Sequence, residues 1–431
     1  MNQAVILAGG SGTRLKEITG YLPKPLVNVN KKPLLGYIID SCRKYNFRKI
    51  TLLLSYQSNL IVEFCENSEY DDIEFEYLIE DSPRGTGGAL IDALKSLDER
   101  FVVIYADTYF EINFSSFIDF HDKNNADASI FIHPNDHPMD SDLVEIDDQQ
   151  RIIKIHPYPH DNNWRSNLVN AAVYIFQKNT LLNVNIAKEK FDIAKDIFPN
   201  IIKSNRVYGY ISTEYIKDVG TPRRLSNVEK DIQSGKVNML NKANSRRAIF
   251  LDRDGVINRE IGHLSNINNF QLLKGVSEAI SLINQSGYLA VIVTNQPVIA
   301  RGELSIEGLN EIHRKMETLL GIDGAYLDRI YFCPHHPEQG FDGEIEVLKI
   351  NCFCRKPDIG MLEEAKKDLN IEFTDSWLIG DSERDIIAAS KTHLKSILVR
   401  KNGLDYAVMR DIKPTYQKDN LLDAVKFILK N

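Results

Sequence analysis

At 431 residues the chain is long enough for two or three domains of roughly 150 residues each. Its 43% hydrophobic and 26% charged residues provide for a sizeable soluble core. The formal charge of −8 gives no global attraction for a nucleic-acid polymer or an anionic membrane. No apolar run approaches the roughly 18 residues of a membrane span. The opening MNQAVILAGG lacks the basic, apolar and cleavage regions of a signal peptide, so a cytoplasmic protein is expected.

In chain order, a strand is expected over residues 4–8, followed by Gly9, Gly10, Gly12, Thr13 and Arg14. Glycines let backbone N–H groups approach a phosphate chain, and Arg14 adds charge there. The pattern is neither GxGxxG nor GxxxxGK[ST]. Pro23-Lys24-Pro25 sharpens it, because two prolines hold a compact cation on a stiff loop. The HPNDHP run at 133–138 reads as a rigid loop rather than a metal site. Residues 233–247 turn polar and lose apolar periodicity, the expected linker.

The organising stretch is IFLDRDGVIN, 249–258: a buried strand ending in Asp252 and Asp254, with Gly255 able to turn the chain. Two carboxylates one residue apart at a strand end are costly unless a cation or a proton relieves them. Beyond it, a strand over 289–293 runs into Thr294, and a helix is expected over 305–320 with Leu309, Ile312, Met316, Leu319 and Leu320 as its core stripe. Strands over 330–332 and 377–379 lead to Cys333 and to Asp381, with 396–399 read as the last strand. Such alternation predicts a parallel sheet covered by helices, with Asp252, Thr294 and Asp381 at its carboxyl ends. Cys42 and Cys65 are isolated, whereas Cys333, Cys352 and Cys354 cluster with His335 and His336. Three thiolates and one imidazole, from either histidine, complete a tetrahedral Zn²⁺ shell with no open position, a structural site.

LAGGSGTRL with PKP resembles the signature of the sugar-1-phosphate nucleotidyltransferases, and the likeness runs through the first half of the chain. It implies that Glu80, Gly85 and Thr86 lie near the nucleotide base, that Asn170 lies on a strand lining the sugar pocket, and that Asp107 and Asp218 hold Mg²⁺. Arg14 and Lys24 would offset the repulsion between two anionic substrates. Glu17 stands where the family usually has proline, and Ala172 where it usually has glycine.

The second half resembles the haloacid dehalogenase-like phosphatases. That likeness implies Asp252 as nucleophile and Asp254 as general acid and base, with Thr294 and Lys356 holding the transferring phosphoryl group. Mg²⁺ would sit on Asp252, Asp381 and the backbone carbonyl of Asp254, supported by Asp385. Within the family, CPHHP and CFCRKP look like the heptose 1,7-bisphosphate 7-phosphatases and favour His335 as zinc ligand; histidinol-phosphate phosphatases are the close alternative. Pro297 and Ser382 depart from the pattern.

The expectation is an α/β chain of two domains. Residues 1–232 form a Rossmann-like nucleotidyltransferase and 248–431 a Rossmann-like haloacid dehalogenase fold with a zinc loop. The expected function is bifunctional: hydrolysis of the 7-phosphate, then nucleotidyl transfer from a nucleoside triphosphate to the sugar 1-phosphate. Guanine is implied by resemblance to heptose-1-phosphate guanylyltransferases. The rivals are a histidinol-phosphate-type phosphatase fused to a hexose-1-phosphate transferase, a nucleic-acid end-processing phosphatase, and a regulatory binder. Expected partners are sugar phosphates and a nucleoside triphosphate, with no nucleic-acid polymer and no membrane. The expected cofactors are Mg²⁺ in both domains and structural Zn²⁺ in the second.

Overall fold

The computed structural model describes residues 1–10, 20, 22–161, 163–399 and 413–431; Gly12, Thr13, Arg14 and Glu17 lie outside the described residues. The chain forms two compact units. The first comprises Met1–His133, Ser141–Pro159 and Leu168–Asn241, the second Pro134–Asp140, His160–Asn167 and Lys242–Asn431.

The first unit is built on the buried strand Gln3–Leu7, which pairs in parallel with Lys49–Leu54 and Arg100–Tyr105. Glu74–Ile79 extends the sheet beyond Lys49–Leu54. The inner strands are near-continuous apolar runs, as a sheet covered on both faces requires. Val169–Gln177 runs antiparallel to Arg100–Tyr105 and opens a mixed half containing Ala128–His133, Leu143–Ile146, Ile152–His156 and Val207–Ile211. The parallel strands all end on one edge, so the loops after Leu7, Ile79 and Tyr105 gather there. A separate ribbon pairs Thr108–Glu111 with Tyr215–Asp218 and sets Asp218 opposite Thr108.

The second unit holds six parallel strands in the order Arg329–Cys333, Leu289–Asn295, Ala248–Leu251, Trp377–Gly380, Lys395–Val399, Tyr416–Lys418. The strand over 395–399 is therefore not the last. Tyr416–Lys418 is three largely exposed residues, too short and polar to carry a strand pattern. Helix Ile306–Ile322 starts at Ser305, whose hydroxyl accepts from the Gly308 N–H at 3.0 Å. Leu309, Ile312, Met316 and Leu320 are fully buried beneath it. The HPNDHP run finds its place against this helix. Pro138 fills the notch at Gly321, where a Cβ would lie 2.6 Å from its Cγ, and Arg165 bonds through backbone N–H and C=O to the Thr318 hydroxyl.

Candidate active sites and metal centre

In the first unit, Gly9 and Gly10 follow the central strand, and a Cβ at Gly9 would lie 3.8 Å from Glu80 Oε2. Gly9 and this carboxylate thus border the same space. Lys24, 9% exposed between its prolines, reaches Asp107 Oδ2 at 2.7 Å. Asp107 follows Arg100–Tyr105, and its backbone carbonyl accepts from the Val219 N–H at 2.9 Å, so the ribbon brings Asp218 beside it. Asp218 is ion-paired with Arg224 at 2.9 Å. The strand ends and the loops beside them therefore collect a lysine, two carboxylates, Gly9 and Gly10 at one edge.

Helix Gly85–Ala93 begins at Gly85, with φ +77°; any Cβ there would stand 2.4 Å from the Phe191 carbonyl oxygen. The Thr86 hydroxyl donates to Asp192 at 2.6 Å and accepts from the Ile193 N–H at 3.1 Å, so it fastens the helix start to its neighbour. Asn170 and Tyr174 bond side chain to side chain at 3.1 Å across a bulge in Val169–Gln177. Ala172 sits in that bulge at φ +57°, its N–H held by Asn170 Oδ1 at 3.0 Å. A glycine would carry this conformation without strain.

In the second unit, Asp252 stands at the end of Ala248–Leu251, its N–H bonded to the Ile379 carbonyl at 3.0 Å. Lys356, 2% exposed, bridges Asp252 at 3.0 Å and Asp385 at 2.6 Å. The Asn295 side chain accepts from the Lys356 N–H at 3.0 Å and donates to its carbonyl at 2.9 Å, fixing that backbone. Ser382 donates to Asp385 at 2.6 Å and caps helix Glu383–Thr392. Carboxylate oxygens of Asp252, Asp381 and Asp385 all lie within 4.8 Å of one another. Burial pushes the Asp252 carboxyl up to about 7; Lys356 opposes the rise, and Asp385, Asp381 and Asp254 add to it. A divalent cation fits this donor set, because it supplies the charge that lets crowded carboxylates stay ionised.

Asp254 is treated differently. Burial raises its carboxyl, but Arg253, Asn258 and Gln296 outweigh burial and hold it below the ordinary carboxylate value. Asn258 donates at 2.9 Å and Gln296 at 2.8 Å, while Arg253 Nη2 reaches both oxygens at 3.0 and 2.9 Å. Gln296 also donates to the Thr294 hydroxyl at 2.9 Å. Asp252, Asp254, Lys356 and Asp381 line a cleft of about 480 Å³, whose walls include Glu260, His263, Arg301, His336, Arg355 and Arg384. Arg384 had no site role expected from sequence; a lone arginine has no local pattern to mark it. The cleft suits a small ester carrying negative charge.

Cys333, His335, Cys352 and Cys354 bring one ligand atom each to within 4.8 Å of the others. The sulfur pairs are 3.2, 3.3 and 3.5 Å apart, and His335 Nδ1 is 3.3 Å from Cys354 Sγ. These spacings are somewhat tighter than the edge of a tetrahedron with Zn–S bonds of ~2.3 Å, about 3.8 Å. His335, not His336, joins the group, and His336 turns to the cleft. Arg355 donates to the His335 carbonyl at 3.1 Å, so the same loop orients Arg355 and carries Lys356. Among the described residues, no other group of three or more such ligands lies this close, apart from the Asp252 cluster.

The nucleotidyl transferase family model matches residues 3–235, and the HAD-hydrolase-like model matches 353–424. The D-glycero-beta-D-manno-heptose-1,7-bisphosphate 7-phosphatase of Haemophilus ducreyi is 37% identical over 184 residues, covering 42% of this chain and 98% of that protein. Its namesake from Escherichia coli K12 is 39% identical over 161 residues, covering 37% and 82%. Among solved structures, HddC from Yersinia pseudotuberculosis aligns with a TM-score of 0.48 and 27% identity, over 54% of this chain and 100% of that one. No helix of the described residues is long and apolar enough to cross a membrane.

Proposed function

Since the chain belongs to the nucleotidyl transferase family in its first half and to the heptose-1,7-bisphosphate 7-phosphatase family in its second, we propose that one polypeptide performs two consecutive steps of nucleotide-activated heptose synthesis. The second unit removes the 7-phosphate of a heptose 1,7-bisphosphate. The first joins the remaining anomeric phosphate to a nucleotide and releases pyrophosphate. The observation that carries the reading is the pair of lysine–carboxylate constellations, Lys356 with Asp252 and Lys24 with Asp107, each at the carboxyl edge of a parallel sheet.

In the phosphatase, an Asp252 oxygen attacks phosphorus and the bond to the sugar oxygen breaks, the departing alkoxide taking a proton from Asp254, whose protonated form the anionic ester beside it favours against the pull of Arg253. Asp254 then accepts a proton from the water that attacks the aspartyl phosphate, freeing phosphate and restoring Asp252. Lys356 and Thr294 hold the phosphoryl oxygens. Asp252, Asp381 and the Asp254 carbonyl would hold Mg²⁺, which neutralises charge on the phosphoryl group.

In the transferase, an oxygen of the sugar 1-phosphate attacks the α-phosphorus of the nucleoside triphosphate, and pyrophosphate leaves. Alignment supplies much of the effect, without an enzyme-bound intermediate. Lys24 and Arg14 meet the phosphates, and Asp107 and Asp218 would hold Mg²⁺. Guanine is the proposed base: the Glu80 carboxylate beside the glycine loop is an acceptor suited to the adjacent N1–H and N2–H₂ donors of its edge. The Cys₃His group would bind Zn²⁺ structurally. The cytoplasm is the proposed compartment, where thiols stay reduced and the nucleotide donor is available.

The activities should separate by mutation. Asp252→Asn is expected to abolish phosphate release and spare nucleotidyl transfer to a ready-made sugar 1-phosphate, and Asp107→Ala to do the reverse. Loss of both activities in a well-folded Asp252→Asn protein would reject two independent sites.

A further inference from the structure

Arg253, between the two motif aspartates, is fully buried, and its guanidinium spends its hydrogen bonds inside the phosphatase unit. Nη2 reaches both oxygens of Asp254, at 3.0 and 2.9 Å, and the Gln296 Oε1 at 2.9 Å; Nε lies 3.3 Å from Asp254 Oδ1. Nη1 meets His313 Nε2 at 3.3 Å. His313 lies on helix Ile306–Ile322, where burial and the neighbouring Arg253 charge push its imidazolium down to about 3, so the ring is neutral and can accept this bond. Burying a guanidinium costs several kcal/mol unless its partners are well placed. The partner this one faces is the carboxylate that must exchange a proton with the substrate.

We propose that Arg253 is a positioning residue of the phosphatase: backed by His313 and Gln296, its planar fork fixes the Asp254 carboxylate in the orientation that hands a proton to the leaving oxygen. Lysine would keep the charge but not the fork. The proposal rests on the acid and base role of Asp254 given above. In the step concerned, the Asp252–phosphorus bond forms, the phosphorus–oxygen bond to the sugar breaks, and the proton passes from Asp254 to that oxygen.

Two esters separate orientation of the acid from mere folding. A sugar alkoxide needs the proton to leave; p-nitrophenolate does not. In the full chain, with enzyme in excess, Arg253→Lys is expected to lower the single-turnover rate of sugar release from the heptose bisphosphate by roughly 10- to 100-fold, a part of what general acid catalysis supplies. On p-nitrophenyl phosphate the loss in the same single-turnover rate should be under about threefold, since hydrolysis of the aspartyl phosphate, which the two esters share, comes after it. His313→Leu, which leaves the Asp254 contacts in place, should give a smaller loss with the same selectivity. It decides the matter if the Arg253 variant does not fold. Equal losses on the two esters, or no loss on the sugar, would overturn the proposal. If Asp254→Asn were itself unselective between them, the acid role would fall and this proposal with it.

Discussion

Replacing Gly255 by alanine should disable the phosphatase without touching a reacting group. Gly255 has φ +80°, and a Cβ there would lie 2.0 Å from Asp381 Oδ2 and 2.7 Å from its Cγ. Ordinary contact begins near 3.4 Å, so Asp381 or the turn must give way by about 1.4 Å. A side chain in the left-handed region adds about 1–2 kcal/mol of strain, worth a fall in Tm of several degrees for a unit of this size. A shift of about 1 Å among reacting groups costs on the order of 10²-fold in rate. Continuous phosphate release should therefore show kcat down about 10²-fold, with nucleotidyl transfer to a supplied sugar 1-phosphate unchanged. A Gly255→Ala protein within about threefold of the parent would refute the claim that this turn sets the position of Asp381.

Ala172→Gly should stabilise the first unit by roughly 0.5–1 kcal/mol, the relief of left-handed strain less the added freedom of the unfolded chain; a lower Tm would count against the strain. Cys352→Ser should reduce bound zinc from one equivalent to none and lower the unfolding transition of the second unit alone, because metal binding is folding free energy there; zinc-free native protein with full activity would end the idea. Burial raises the Glu317 carboxyl from 4.5 to about 7, against the Ser166 and Asn167 hydrogen bonds and the Arg314 charge. The folded state thus binds this proton more tightly than the unfolded, and stability is lost as pH rises from about 4.5 to 7. Glu317→Gln should flatten that loss and raise Tm at pH 8 by several degrees, from about 3 kcal/mol; an unchanged pH profile would contradict it.

The parts legible in the sequence are those where chemistry or geometry restricts residue type. Asp252 and Asp381 need those side chains at strand ends, Lys356 and the cysteine cluster need theirs on the loops beside them, and the structure brings each set together. The residues left His335 and His336 as equal ligands, and geometry separates them. Other features had no local signal. Nothing local marks Arg253 as buried, although the fold encloses it completely. The fate of HPNDHP depends on Gly321, far along the chain, so no window could place it. The hydroxyl of Thr86 ties the helix start to Asp192 and Ile193, over a hundred residues away, which no local pattern announces. Ala172 hides the left-handed bulge because alanine does not advertise positive φ as glycine does.

The order of the two reactions is the centre of the account, since the transferase needs the anomeric phosphate that a careless phosphatase would remove. Phosphorus NMR of the full chain with heptose 1,7-bisphosphate, Mg²⁺ and GTP follows both ends of the sugar at once. The 7-phosphate resonance should disappear first, the anomeric resonance persisting until a sugar–nucleotide diphosphate and pyrophosphate take its place. Loss of the anomeric signal first, or no nucleotide-linked diphosphate with any of the four nucleoside triphosphates, would contradict it.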